Sequence, residues 1–153
     1  MPQTNSTAIK TVWLAILVIV FDQLTKMWAV DTLVFGEPVA VMPNLNWTLA
    51  YNYGAAFSFL ADMGGWQRWF FIILTLIIST VLVFWLKKTN DKLEATALSF
   101  ILGGAIGNLI DRVLFGHVID FLDVYYQQHH WPAFNIADMA ISCGVFLLIL
   151  ATF

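Results

Sequence analysis

Four stretches of the chain stay apolar for long enough to cross a bilayer as helices, which takes about 20 residues at about 1.5 Å each. They are Thr11 to Ala29, Trp69 to Leu86, Ala95 to Leu114 and Phe134 to Phe153. No internal repeat or low-complexity tract interrupts them, and the pattern predicts one integral-membrane domain over residues 1–153. The segment between the first two stretches changes period. In NWTLAYNY, Trp47, Leu49, Tyr51 and Tyr53 fall at every second position, the spacing of a strand rather than a helix. A small sheet on the membrane surface is therefore predicted within a long loop over residues 36–66. Trp66 and Trp69 then mark the interface where the second helix begins, as amphipathic aromatics do.

Composition agrees. Of 153 residues 60% are hydrophobic and only 11% charged, and the mean hydropathy is +0.79; soluble domains carry about a quarter charged residues. A net charge of −3 is too small and of the wrong sign for a nucleic-acid partner. The single Cys143 excludes an intrachain disulfide framework, and its apolar surroundings predict core packing. The first apolar stretch resembles a secretory signal, but KMWAV lacks a small-x-small cleavage site, which predicts a retained helix. Lys10, Lys87, Lys88 and Lys92 flank the start of the first helix and the second-to-third connection, so both termini are predicted to be cytoplasmic by the positive-inside rule. Asp31, Glu37, Asp62, Asp120 and Asp123 fall in the opposite loops, which are predicted to be external.

The segment GGAIGNLIDRVLFGHVIDF, Gly103 to Phe121, begins as an apolar helix and yet carries Asn108, Asp111, Arg112, His117 and Asp120. At the helical rise, Asp22 lies roughly 18 Å above Lys10, with Lys26 one turn further, while Asn108 and Asp111 lie roughly 20 to 24 Å above Ala95. Asp138 enters the fourth helix from the other side and Asp120 lies in the connection leading to it. All converge on the outer half of the membrane, where ionisable groups are costly unless paired or facing water, and so mark a functional site. Asn108, Asp111 and Arg112 share one helix face. Asp22 and Lys26 form an acid-before-base i,i+4 pair whose simplest role is structural. Gly103 and Gly107 let helices pack closely. His117, His129 and His130 lack metal-ligand spacing, with HHWP read as a wet interfacial turn. Ser99 and Ser142 have no basic neighbour in sequence to activate them, and Asp123 is read as solvated.

Asp120 and Asp138 have no adjacent cation in sequence. Two carboxyl groups held close cannot both ionise easily, so one keeps a proton while the other serves as a base, an arrangement suited to peptide hydrolysis. Two other readings share these residues. A proton-coupled transporter or channel would use Asp22, Asp111, Asp120 and Asp138 as a relay, and a non-catalytic scaffold would use only the glycine face.

Five blocks, DQLTK (Asp22 to Lys26), NYGAAF (Asn52 to Phe57), GGAIGNLIDR (Gly103 to Arg112), VIDF (Val118 to Phe121) and FNIAD (Phe134 to Asp138), resemble in order and spacing the signature of bacterial lipoprotein signal peptidase, or signal peptidase II. The resemblance implies an all-α inner-membrane aspartyl peptidase with four transmembrane helices and a small extracytoplasmic β-cradle. It implies cleavage of the signal peptide from prolipoproteins already carrying diacylglyceryl on the cysteine after the cut, near the periplasmic face. Asp120 and Asp138 match the catalytic pair. Asn52, Gly54, Asn108, Asp111, Arg112 and Asn135 match positions that line or support the site, and Asp22 and Lys26 an orienting motif. No cofactor or metal is called for; membrane lipid and the cyclic peptide globomycin are the implied partners beside the substrate. The chain ends at Phe153 inside the fourth apolar run, without the basic tail expected of a cytoplasmic end.

Overall fold

The computed structural model describes residues 6–55 and 59–153; Ala56 and Phe57 of the NYGAAF block lie outside the described residues. Four helices and four strands follow in the order α1 (Ser6–Thr32), β1 (Val39–Met42), β2 (Leu45–Asn52), α2 (Trp66–Lys88), α3 (Lys92–Phe115), β3 (Val118–Tyr126), β4 (His129–His130) and α4 (Ile136–Thr152). The first three helices are each long and apolar enough to cross a membrane, and α4, with 17 residues, sits at the short end of that range.

Local signals account for the helix ends. Asp91 caps α3, its carboxylate accepting from the Glu94 backbone N–H at 2.7 Å, which satisfies one of the donors that a helix start leaves open. Gly116 closes α3 in the left-handed conformation (φ 80°) and its N–H returns to the Arg112 carbonyl. Arg68 finishes that end, donating from Nε to the Arg112 carbonyl at 2.9 Å and from Nη2 to the Val113 carbonyl at 2.8 Å. Lys87 and Lys88 occupy the last turn of α2, where the helix dipole favours cations.

The third helix is the centre of the bundle. Its apolar window is 61% buried, against 17% for α1 and for α2. Glycine permits the close approach: a Cβ on Gly103 would lie 2.8 Å from the Ala15 carbonyl oxygen of α1, one on Gly104 would run into the Ala137 carbonyl of α4, and one on Gly144 would lie 2.7 Å from the Ala97 carbonyl oxygen. Large side chains on the far faces, such as Phe21 and Leu24 of α1 and Ile77 and Phe84 of α2, are exposed, as a lipid-facing surface requires.

The strands form one antiparallel sheet in the order β1-β2-β3-β4. Ala50 pairs with Asp120 and Asn52 with Val118. A bulge between Trp47 and Ala50 breaks the even period, so that Asn46 and Leu49 are the buried positions of β2. One face packs on the end of α1: Ala29, Leu49, Ile119, Phe121 and Leu122 form a buried cluster, and Trp28 meets Trp47 edge-on at 5.3 Å. The sheet therefore caps the bundle at the C-terminal ends of α1 and α3.

Candidate active site

The polar residues of α1 and α3 meet beneath this sheet. Lys26 Nζ lies 2.8 Å from Asp22 Oδ2, 2.9 Å from Asp111 Oδ2 and 3.0 Å from Asn108 Oδ1. An ammonium group has three protons, so all are used. Lys26 is 1% exposed and Asp22 and Asp111 are 0% exposed; losing one partner of such a buried set costs about 3–5 kcal/mol because a charge is left behind in low dielectric. The other carboxylate oxygens are also satisfied. Asp22 Oδ1 accepts from the Ala137 backbone N–H at 2.9 Å, Asp111 Oδ2 from the Ile119 backbone N–H at 3.0 Å, and Asp111 Oδ1 from Gln23 Nε2 at 2.9 Å. One carboxylate thus ties α1 to the start of α4 and the other ties α3 to β3. Gly107 leaves room for this, since a Cβ there would fall 2.6 Å from Asp22 Oδ2.

Asn135 is the N-cap of α4. Its Oδ1 accepts from the Asp138 backbone N–H at 2.9 Å, and Asp138 Oδ2 accepts from the Asn135 backbone N–H at 3.2 Å, a reciprocal capping box. The FNIAD block therefore holds Asp138 at a fixed place in the first turn. Asn135 Nδ2 also reaches Asp120 Oδ1 at 2.7 Å, while Asn108 Nδ2 donates to Asp138 Oδ1 at 2.9 Å. Burial first, and the negative charge of Asp138 second, push the Asp120 carboxyl up from 3.8 to about 8; Lys26 and the Asn135 hydrogen bond pull the other way.

Both carboxyl groups line one cavity of about 690 Å³, which Asn52, Asn108, Arg112 and Trp131 also line. Arg112 donates from Nη2 to the Gly54 carbonyl at 2.9 Å and lies 5.1 Å above the Phe71 ring. Asn52 folds the same turn, accepting from the Gly54 N–H at 2.9 Å and donating to the Ala55 carbonyl at 3.2 Å. Only glycine fits at position 54, where a Cβ would run into the Phe59 carbonyl. His117 stacks on Tyr51 at 4.2 Å and Tyr53 at 5.2 Å, and burial there holds its imidazole below the ordinary value against the charge of Asp111.

All ten residues singled out in the sequence, from Asp22 to Asp138, thus gather within hydrogen-bonding chains around one cavity, and three expectations are corrected. Asp123 is buried rather than solvated, because its carboxylate joins β2 to β4, accepting from Asn46 Nδ2 at 3.0 Å and meeting His130 Nδ1 at 2.8 Å. His129 and His130 are not a turn but β4, paired with Tyr126 and Tyr125. Cys143 is exposed on the rim of the cavity instead of packed in a core. Gln23, whose Nε2 bonds Asp22, the Gly107 carbonyl and Asp111, is the neighbour of this cluster that periodicity misses. It is an ordinary polar residue at the edge of the Asp22 face, and only its position inside DQLTK hints at a role. Among the described residues no three His, Cys, Asp or Glu side chains gather as a metal site requires.

Comparison with known proteins gives a consistent result. A family model described as signal peptidase (SPase) II matches residues 14–153. The chain is 55% identical to the lipoprotein signal peptidase of Hydrogenovibrio crunogenus, over 100% of this chain and 90% of that one. It is likewise 55% identical to that of Acinetobacter baumannii, over 93% of this chain and 83% of the relative. Two solved structures of bacterial membrane enzymes superpose with TM-scores of 0.84 and 0.81, at 38% and 37% identity, each over 94% of this chain and over 87% and 92% of theirs.

Proposed function

The chain belongs to the signal peptidase II family, a family of proteases that remove signal peptides from prolipoproteins, and on that premise we propose that it is an intramembrane aspartic endopeptidase whose catalytic pair is Asp120 and Asp138. One observation carries the reading: two carboxyl groups from different elements, β3 and α4, face the same cavity, joined through the amide of Asn135 and its backbone.

In this mechanism one carboxyl keeps a proton and the other is ionised. The carboxylate takes a proton from a water molecule as that water attacks the scissile carbonyl carbon, while the carboxylic acid gives its proton to the carbonyl oxygen. Collapse of the tetrahedral diol breaks the C–N bond. The first carboxyl then protonates the leaving amine and the second recovers its proton from a diol hydroxyl. Asn52 and Arg112 line the cavity beside the pair and position the substrate backbone, with Gly54 shaping the turn that Arg112 binds, whereas Asp22, Lys26, Asn108, Asp111 and Asn135 hold the pair in place.

The substrate is a prolipoprotein with diacylglyceryl on the cysteine that follows the cut bond. Its acyl chains stay in the bilayer, so the cleavage bond lies near the outer boundary of an inner membrane, where the cavity sits when Lys10 and Lys87 face the cytoplasm. Globomycin is expected to occupy the same cavity. The relay reading is disfavoured because the buried carboxyl groups lie at one end of the bundle, whereas a proton path must cross. The decisive measurement is the mass of a diacylglyceryl-modified prolipoprotein after incubation with the purified enzyme. Loss of the signal-peptide mass supports the proposal, and no product from a folded preparation defeats it.

A further inference from the structure

The two amides that donate to the aspartates, Asn108 to Asp138 and Asn135 to Asp120, have only one orientation open to them. Lys26 can only donate, so the Asn108 atom it meets at 3.0 Å, which also accepts from Asn135 Nδ2 at 3.2 Å, is oxygen, and the NH₂ group faces Asp138 Oδ1 at 2.9 Å. The Asp138 backbone N–H likewise only donates. The Asn135 atom it meets at 2.9 Å is therefore oxygen, and that NH₂ group faces Asp120 Oδ1 at 2.7 Å. Amide orientations are ordinarily assigned from the surrounding network; here two obligate donors fix them.

The two carboxyl groups are left unequal. Asp138 accepts at both oxygens, Oδ1 from Asn108 and Oδ2 from the Asn135 backbone N–H. Asp120 accepts at Oδ1 from Asn135, and among the described residues no donor faces its Oδ2. Donors directed at a carboxylate favour its ionised form.

We propose that Lys26 is a positioning residue that sets the order of protons in the pair: by holding, together with the Asn135 amide, the Asn108 oxygen turned away from Asp138, it keeps Asp138 as the carboxylate that deprotonates water and leaves Asp120 as the acid that protonates the carbonyl oxygen. This rests on the aspartic-protease reading above. The charged groups acting on the pair are Lys26 from α1 and Asp111 and Arg112 from α3, with Asp22 paired to Lys26 behind them, so two cations stand among four carboxyl groups and a single shared proton leaves one net negative charge. Burial of Asp120 beside the Asp138 charge acts in the same direction.

The test is the pH profile of kcat/KM for cleavage of lipidated prolipoprotein by the full-length enzyme and by Asn108→Asp, Asn108→Ala and Lys26→Met, with thermal melting as the check on folding. Asn108→Asp is nearly isosteric and replaces the donor facing Asp138 with a carboxyl oxygen. Its acidic limb should move up by a pH unit or more, a tenfold or larger deficit at pH 5 that shrinks towards pH 8. Asn108→Ala and Lys26→Met should move the same limb in the same direction. A structural role would instead lower cleavage by one factor at every pH, and an unmoved acidic limb overturns the proposal. A second readout is independent of turnover: the infrared difference between the unaltered enzyme and Asp120→Asn at pH 7 should contain a protonated-carboxyl band, and a carboxylate band in its place overturns the assignment. Absence of cleavage by the unaltered enzyme would overturn the functional reading and this proposal together, whereas normal cleavage with unmoved limbs overturns this proposal alone.

Discussion

Exchanging either member of the pair for its amide preserves side-chain shape while removing the exchangeable proton. Asp120→Asn and Asp138→Asn are each expected to lower single-turnover cleavage on the order of a thousandfold, about 4 kcal/mol of barrier. The double variant should be scarcely worse than either single one, because the two act as a unit; multiplicative losses would show independent roles. Asp123→Asn should stay active, since its carboxylate joins strands and lies outside the cavity lining. Because the Asp120 carboxyl is pushed up to about 8, kcat/KM should fall as pH rises through that value. Stability carries the same sign. Between about pH 4 and 8 the unfolded chain gives up this proton and the folded one keeps it, so folding weakens as pH rises; the melting temperature of the unaltered enzyme should drop over that window relative to Asp120→Asn. Both aspartates were legible from VIDF and FNIAD, whereas the partners of Asp123 were not, because Asn46 and His130 reach it only through strand pairing.

At the scale of elements, the first three spans read from hydropathy fall inside the observed helices, each observed end up to five residues away, since a hydropathy window stops at the first charges while a helix continues through them; the fourth, Phe134 to Phe153, instead overshoots α4 at both ends, because hydropathy does not see the cap at Asn135. Asp91 supplies such a cap for α3. Of the strands, β2 was legible through its period, but β3 was not. Val118 to Asp123 are buried without alternation, with β2 on one edge and the Phe134 bridge on the other, so VIDFLD lacks the two-residue rhythm of a half-exposed strand. The contact between α3 and α4 is set by glycine. A methyl on Gly104 would meet the Ala137 carbonyl, and Ile141 Cγ1 at 2.7 Å. Gly104→Ala should therefore cost about 1–3 kcal/mol as an overpacked site, seen as a lower melting temperature. It should also slow cleavage, because Asp138 follows Ala137 directly.

For the molecule as a whole, the lysines at one end and the sheet with its cavity at the other give a single testable orientation. Reporter fusions after Leu86 and at the C-terminus are expected in the cytoplasm, and those near Gly36 and Gln127 outside; a cytoplasmic Gln127 would place the cavity on the wrong face of the membrane. The gathering of polar groups at one depth was legible from helical rise alone, but the cavity they enclose was not, since its wall is built by Asn52, Arg112 and Trp131 from segments far apart in sequence. The Lys26 cluster also bears on how the chain is made. A ribosome delivers α1 to the membrane long before α3 exists, so Asp111 and Asn108 cannot yet receive the ammonium, and a lone lysine in the outer part of a nascent helix opposes insertion, by less than the about 2.5–3.5 kcal/mol it would cost at the helix centre. Asp22, one turn earlier and 2.8 Å from it, is the only one of its carboxylate partners that leaves the ribosome on the same helix. Asp22→Asn should therefore lower the fraction of newly made chains whose first helix enters the bilayer, measured by glycosylation of an acceptor site placed near Gly36, whereas Asp111→Asn should leave that fraction unchanged and fail only later, when α3 docks.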